Sequence, residues 1–211
     1  MSDNRIVIDS PLRGQWAIMN LPGHPELAYD FLAVDDKRQP YPGKYLLPHL
    51  FARIPVTAIY AWAQPVYAPF DGEVIACNDG SADRERVGLI RDLLTVFIFR
   101  PKPGSPFSAF GGNYVVLKSG KRFALLAHLR KGSVQVKVGD RIRGGQQLGE
   151  VGNSGSSIQP HLHFQIMGSE DPFPTTATLL PFRFKTLQKR VGKAWQTLEN
   201  SEIKNGDHML L

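Results

Sequence analysis

The chain of 211 residues has little cysteine, with Cys77 alone. One thiol excludes an internal disulfide framework and a thiolate-rich zinc site. Its setting, Gly72-Glu73-Val74-Ile75-Ala76-Cys77, alternates as a strand does, so the thiol reads as a small packed hydrophobe rather than a nucleophile. No stretch is apolar for long enough to span a bilayer. The start, Met1-Ser2-Asp3-Asn4-Arg5-Ile6-Val7-Ile8, lacks the apolar centre of a secretory signal. Taken literally, this describes a soluble, cytoplasmic chain, and one trimmed of its leader would look the same. Runs of five or more Lys/Arg are absent, as are zinc-finger spacing, a basic zipper and an RNA-binding aromatic pattern. Nucleic acid is therefore not an expected partner. There is no internal repeat, coiled coil or low-complexity block either.

What is present points to a globular β protein. With 42% hydrophobic and 21% charged residues, wholesale disorder is excluded, and the length suits one domain with elaborations. Twenty glycines and sixteen prolines suit many short strands joined by tight turns. The net charge of +6 favours an anionic partner such as a membrane surface or a cell-wall polymer, although the charges are scattered. Period-2 alternation marks the strands. Tyr29 to Val34 reads as one, and Pro65 to Ala76 as two around the Asp71-Gly72 turn. Asn113 to Lys118 pairs across Ser119-Gly120 with Arg122 to Leu129, and Ser133 to Val138 alternates cleanly. Residues 78–112 read as an insertion into a core of roughly 20–77 and 113–168. In the extension 169–211, the pattern around Asn205-Gly206-Asp207 suggests a terminal hairpin. The expected fold is mainly antiparallel β with short loops, in a single domain.

His161-Leu162-His163 is the most informative feature. Two histidines at i and i+2 of a strand point to one face, and Leu162 points into a core. Paired imidazoles are costly to bury unless they share a metal, a proton or a substrate; alone, such a pair is more often hydrogen-bonded on a wet strand face. His128, in Leu125-Leu126-Ala127-His128-Leu129, is either a packed core histidine or a site residue at a strand end. His24 precedes Asp30 by six residues. One His and one Asp from a loop and its following strand, joined by a distant His, make a three-ligand zinc set that leaves a position for water. Ligands of nitrogen and carboxylate, without thiolate, leave the metal enough charge to acidify that water to about pH 7.

Several phrases follow in a fixed order. They are Pro65-Val66-Tyr67-Ala68-Pro69-Phe70-Asp71-Gly72, Gly112 to Leu117, Leu125-Leu126-Ala127-His128-Leu129, Val138-Gly139-Asp140 to Leu148-Gly149, Val151-Gly152-Asn153-Ser154-Gly155 and Pro160-His161-Leu162-His163-Phe164. The series resembles the lysostaphin-type (LytM-like) zinc metallopeptidases, which cut peptide cross-links of bacterial peptidoglycan. The likeness covers roughly residues 20–168 without the insertion. It implies the duplicated-hybrid-motif sandwich or half-barrel, zinc as cofactor, and peptidoglycan as substrate for a monomer working in the periplasm or outside the cell. Carried over, it places zinc on His24, Asp30 and His163, and makes His128 and His161 the catalytic histidines that are not ligands. The spacing of His24 to Asp30 is longer than the family pattern. Asp30 is thus the firmer ligand, and His49 is the substitute should His24 fail.

Two other readings use the same residues. Val138-Gly139-Asp140 to Gly149 is also the phrase of a biotinyl or lipoyl half-barrel, but no acceptor Lys stands in an Asp-Lys or Met-Lys-Met turn. A histidine phosphocarrier of barrel form would use two histidines on one face without Asp30. A metal-free cell-wall or partner-binding module is the remaining alternative.

Overall fold

In the computed structural model, residues 6–20, 25–51, 53–88, 90, 92, 94, 105–171 and 178–211 are described. Alternate residues of the central segments are fully buried, among them Val115 and Leu117, Ala124 and Leu126, and Leu162, Phe164 and Ile166. The intervening Val116, Leu125, Ala127 and Met167 are buried as well, in a second cluster, so these strands have both faces covered.

The strands in chain order are β1 (Ile6–Ile8), β2 (Gln15–Ile18), β3 (Ala28–Ala33), β4 (Ile54–Pro55) and β5 (Pro65–Tyr67). There follow β6 (Gly72–Asn78), β7 (Arg86–Val87), β8 (Asn113–Ser119), β9 (Arg122–Leu129) and β10 (Arg141–Ile142). The last are β11 (Gln147–Glu150), β12 (Leu162–Met167), β13 (Phe182–Val191), β14 (Ala194–Ser201) and β15 (His208–Leu210). Short helices at Leu46–Phe51 and Ser108–Gly111 lie outside the sheets, and no described helix is long and apolar enough to cross a membrane.

One large mixed sheet runs β1-β13-β15-β2-β3-β12-β9-β8-β6-β10, with β14 paired to β13. Among the described residues, only β1 and β13 pair in parallel. The chain is mainly β, and the sheet does not close into a barrel. β5 and β11 form a separate antiparallel pair whose Val66 and Leu148 join the main core, which makes the second layer of a sandwich.

The β8–β9 hairpin forms as its sequence predicts, with Ser119 opposite Arg122 and Gly120 at φ +61°. Three local expectations change. β5 and β6 flank Asp71-Gly72 but do not pair with each other; β5 joins β11, and β6 joins β8 and β10. The segment between them crosses from one layer to the other, and Asp71 accepts the Gly144 amide at 2.7 Å. Ser133 to Val138 is extended but belongs to no strand. Its Val134 and Val136 pack on the core, while Gln135 donates to Leu148 at 2.9 Å and Gly139 to Val74 at 2.8 Å. The terminal hairpin is real, but its turn is at Gly192 (φ +62°), with Val191 opposite Ala194. The Asn205-Gly206 turn instead sends β15 back against β13 and β2.

The extension is part of the core rather than an appendage. Phe182 and Phe184 of β13 pack with Tyr29, Phe31 and Phe164, at ring-centroid distances of 5.3–6.2 Å. Within 78–112, residues 89, 91, 93 and 95–104 lie outside the described residues; of the rest, β7 pairs with β4 and Ser108–Gly111 is a short helix. Since Phe184 is fully buried, Phe184→Ala should cost roughly 3–5 kcal/mol by transfer and cavity terms. Urea unfolding checks this; a loss under about 1 kcal/mol would mean that the extension is only loosely docked.

Candidate metal and catalytic site

The site is built around β12, the strand between β3 and β9. His163 is directly opposite Asp30 on one side and Ala127 on the other. Leu162, Phe164 and Ile166 enter the main core, so His163 takes the other face of the sheet. The same parity puts Tyr29, Phe31 and Ala33 of β3 in that core and leaves Asp30 beside His163. Their contact is close: His163 Nδ1 lies 2.9 Å from Asp30 Oδ1. His161, just before β12 on the same face, brings Nε2 to 3.4 Å from that oxygen.

Strict alternation would put His128 in the core. Ala124 and Leu126 pack in the main core while Phe123, Leu125 and Ala127 face the opposite cluster, so residue 128 is due on the core side. Leu129 occupies the core instead. The parity reverses because the β8–β9 register shifts between Asn113 and Tyr114, which leaves His128 as the extra residue of a bulge at φ +62°. Bulges re-aim side chains in this way, and a non-glycine residue in the left-handed region is strained. The bulge brings the His128 ring to 4.7 Å from that of His161 and 6.0 Å from that of His163.

Backbone acceptors fix two of the imidazoles. His128 Nδ1 donates to the Ser154 carbonyl at 2.9 Å, and His161 Nδ1 donates to the Gln159 carbonyl at 2.8 Å. Carbonyl oxygens only accept, so in each neutral ring the proton sits on Nδ1 and Nε2 offers a lone pair. Burial first, then the neighbouring His161 and His163, pushes the His128 pKa well below the ordinary imidazole value, and the ring is held neutral.

Sequence reasoning did not single out the residues that hold the bulge. Ser154 Oγ donates to the Leu129 carbonyl at 2.8 Å and accepts the Asn113 amide at 2.9 Å, while Asn113 Nδ2 reaches the same carbonyl at 3.1 Å. Ser157 Oγ donates to Gln159 O at 2.7 Å, beside His161 Nδ1. The glycines of Gly152-Asn153-Ser154-Gly155 are needed for packing. A Cβ on Gly155 (φ +67°) would strike the Gly112 backbone, and one on Gly152 would strike that of Arg130. Neither glycine leaves open space beside the site.

Of the expected zinc ligands, Asp30 and His163 meet, and His24 lies outside the described residues. Asn20 accepts the Asp30 amide at 3.1 Å and donates to the Ala28 carbonyl at 2.7 Å, while the Ala28 amide donates to Pro25 at 3.2 Å. Among the described residues, no group of three His, Cys, Asp or Glu forms a metal cage. The donor set nevertheless suits zinc: a carboxylate oxygen and an imidazole nitrogen converge, with no thiolate.

His49 is elsewhere. It is buried against Tyr41, with Nδ1 2.7 Å from the hydroxyl, and the charge it senses is Asp92. His208 packs edge-on to Trp195 in the extension. Tyr29 and Tyr114 pack on Phe182 and Phe107, and Cys77 sits half-buried against the main core.

Residues 98–174 match the model of Peptidase family M23. That segment contains His128, His161 and His163 but not Asp30 or His24. The glycyl-glycine endopeptidase ALE-1 of Staphylococcus capitis is 40% identical over 74 residues, covering 34% of this chain and 20% of that protein. The peptidoglycan DD-endopeptidase ShyA of Vibrio cholerae is 27% identical over 84 residues, 40% of this chain and 19% of that one. The lysostaphin catalytic domain of Staphylococcus simulans superposes with a TM-score of 0.42 at 19% identity, covering 79% of this chain and 88% of that domain. Residues 98–174 are thus similar to Peptidase family M23, and the similar curated proteins include peptidoglycan and glycyl-glycine endopeptidases. The matched stretch spans about a fifth of the curated relatives' length.

Two measurements follow from this geometry. Because φ of His128 is +62°, His128→Gly should be more stable than His128→Ala by about 1 kcal/mol, the left-handed penalty of a Cβ. Equal denaturant midpoints would mean that the bulge relaxes on substitution. Burial lowers the His49 pKa, so the fold favours its neutral form. Its contribution is complete above the unfolded value of about 6.5 and is lost as pH falls below it toward the folded value. Stability between pH 6.5 and 5 should therefore fall less steeply in His49→Gln than in wild type; parallel curves would discount the coupling.

Proposed function

We propose that the protein is a zinc-dependent metallo-endopeptidase that hydrolyses peptide bonds, with peptidoglycan cross-links as substrate. The observation that carries this reading is the meeting of Asp30, His161, His163 and the bulged His128 on one face of the sheet. These residues come from β3, β9, β12 and the position just before β12, and the endopeptidase names of the relatives support the reading. Asp30 and His163 hold the metal, and His24 supplies the third ligand by the family resemblance. Zinc bound there would polarise the scissile carbonyl and acidify a water molecule.

The remaining chemistry belongs to the two histidines. Each presents Nε2 as an acceptor because its Nδ1 proton is committed to a backbone carbonyl. One of them takes the proton of the attacking water. The C–N bond then breaks, and that proton passes to the departing amine, so the imidazole is restored. His161 is the better placed carrier, since its protonated Nε2 would face Asp30 at 3.4 Å. His128, held neutral at the floor of the site, orients the water through its Nε2 lone pair. Net charge of +6 suits an anionic wall polymer.

Metal analysis and peptide release from purified sacculi test this together. Wild type should hold about one zinc per chain. Asp30→Ala and His163→Ala should lose the metal. His128→Ala and His161→Ala should keep it while releasing peptides at least about 100-fold more slowly, the usual scale of a lost acid–base group. Wild type without zinc would sink the enzyme reading; zinc-loaded protein that binds sacculi and cuts nothing would establish the binding-module alternative.

A further inference from the structure

His163 has a second partner on its own strand. Its Nε2 lies 3.1 Å from Oε1 of Gln165, two residues on and therefore on the same face. Gln165 is fully buried, and its amide nitrogen donates to Met167 Sδ at 3.0 Å. With the NH2 group turned to sulfur, the atom facing the imidazole is the amide oxygen, which can only accept. The His163 proton that fits this contact is on Nε2. The Nδ1 lone pair is then directed at Asp30 Oδ1, 2.9 Å away. A lone pair and a carboxylate oxygen at that distance repel unless a cation joins them.

We infer that Gln165 is a positioning residue for His163: it holds the ring as the Nε2–H tautomer and so presents Nδ1, beside Asp30, as a metal donor. This rests on the zinc reading above and adds the residue that orients one ligand. Met167 belongs to the device, because its sulfur sets which end of the amide meets the ring. An amide is also the charge-conserving choice. Glutamate would give the same acceptor but bring a second anion near the metal, whereas glutamine leaves Asp30 as the carboxylate in contact with His163. A neutral partner orients the ring without reducing the positive charge that activates water.

The test measures zinc affinity by chelator competition in wild type, Gln165→Met and Gln165→Glu, each first shown to unfold cooperatively. Gln165→Met has similar bulk and no oxygen acceptor, and it should bind zinc about 10–100-fold more weakly, the usual effect of losing a ligand's outer partner. Gln165→Glu restores the acceptor and should bind at least as tightly as wild type. In the zinc-loaded wild type, nitrogen-15 spectra should show a proton on His163 Nε2 that is protected from exchange; Gln165→Met should lose that protection. Undiminished affinity in Gln165→Met, or a His163 bound to zinc through Nε2, would overturn the assignment while leaving the zinc site standing. Absence of zinc from wild type would instead overturn the zinc reading itself, and this inference with it.

Discussion

The pairing register of β12 is the constraint on which the site depends. A one-residue slip against β3 or β9 would send His163 into the main core and turn Leu162, Phe164 and Ile166 to the outer face. Each of these three side chains is fully buried, and burial of such a residue is worth about 1.5–3 kcal/mol. The slip would give up that packing and place His163 and Gln165 unpaired in the apolar core. The ionisable face of the strand is held in place by the apolar residues that alternate with it.

A second constraint acts against the first. Alternation would bury His128, and only a break in alternation brings it to the imidazole pair. The break is a left-handed residue, which costs about 1–2 kcal/mol for a side chain with a Cβ. It persists because Ser154 and Asn113 bond to the carbonyl of Leu129 and the His128 ring bonds to the carbonyl of Ser154. Net worth near 1 kcal/mol each makes three such bonds sufficient to hold the strained form. Without the bulge, His161 and His163 would have no third imidazole beside them.

These two constraints divide what the sequence could reveal from what it could not. Period 2 is local, so His161 and His163 on one face, the β8–β9 hairpin and the strand carrying Asp30 were all readable from residue order. A bulge is the loss of that period, and the run Phe123 to Ala127 ahead of His128 is apolar throughout, so nothing in it marks where parity changes. Partner choice is also non-local. Two strands around Asp71-Gly72 look like a hairpin, but the packing of Val66 with Leu148 assigns β5 to the other layer. Ser133 to Val138 alternates because two of its valines pack, although its backbone bonds are too sparse for a ladder. The family resemblance supplied the roles of Asp30 and His128; their contacts came from the fold.

The proton positions in the site are set mainly by backbone. His128 and His161 each commit Nδ1 to a carbonyl of the loop between β11 and β12, so the loop that closes against Gly112 also decides which nitrogen is available. A carbonyl cannot ionise or change donor sense, so this choice does not vary with solvent conditions, unlike one made by a side-chain carboxylate. It follows that the placing of this loop sets which nitrogen of each imidazole is offered to the site. The loop holds two lone pairs on the same side of the sheet as Asp30 and His163, and moving it would disturb both imidazoles at once.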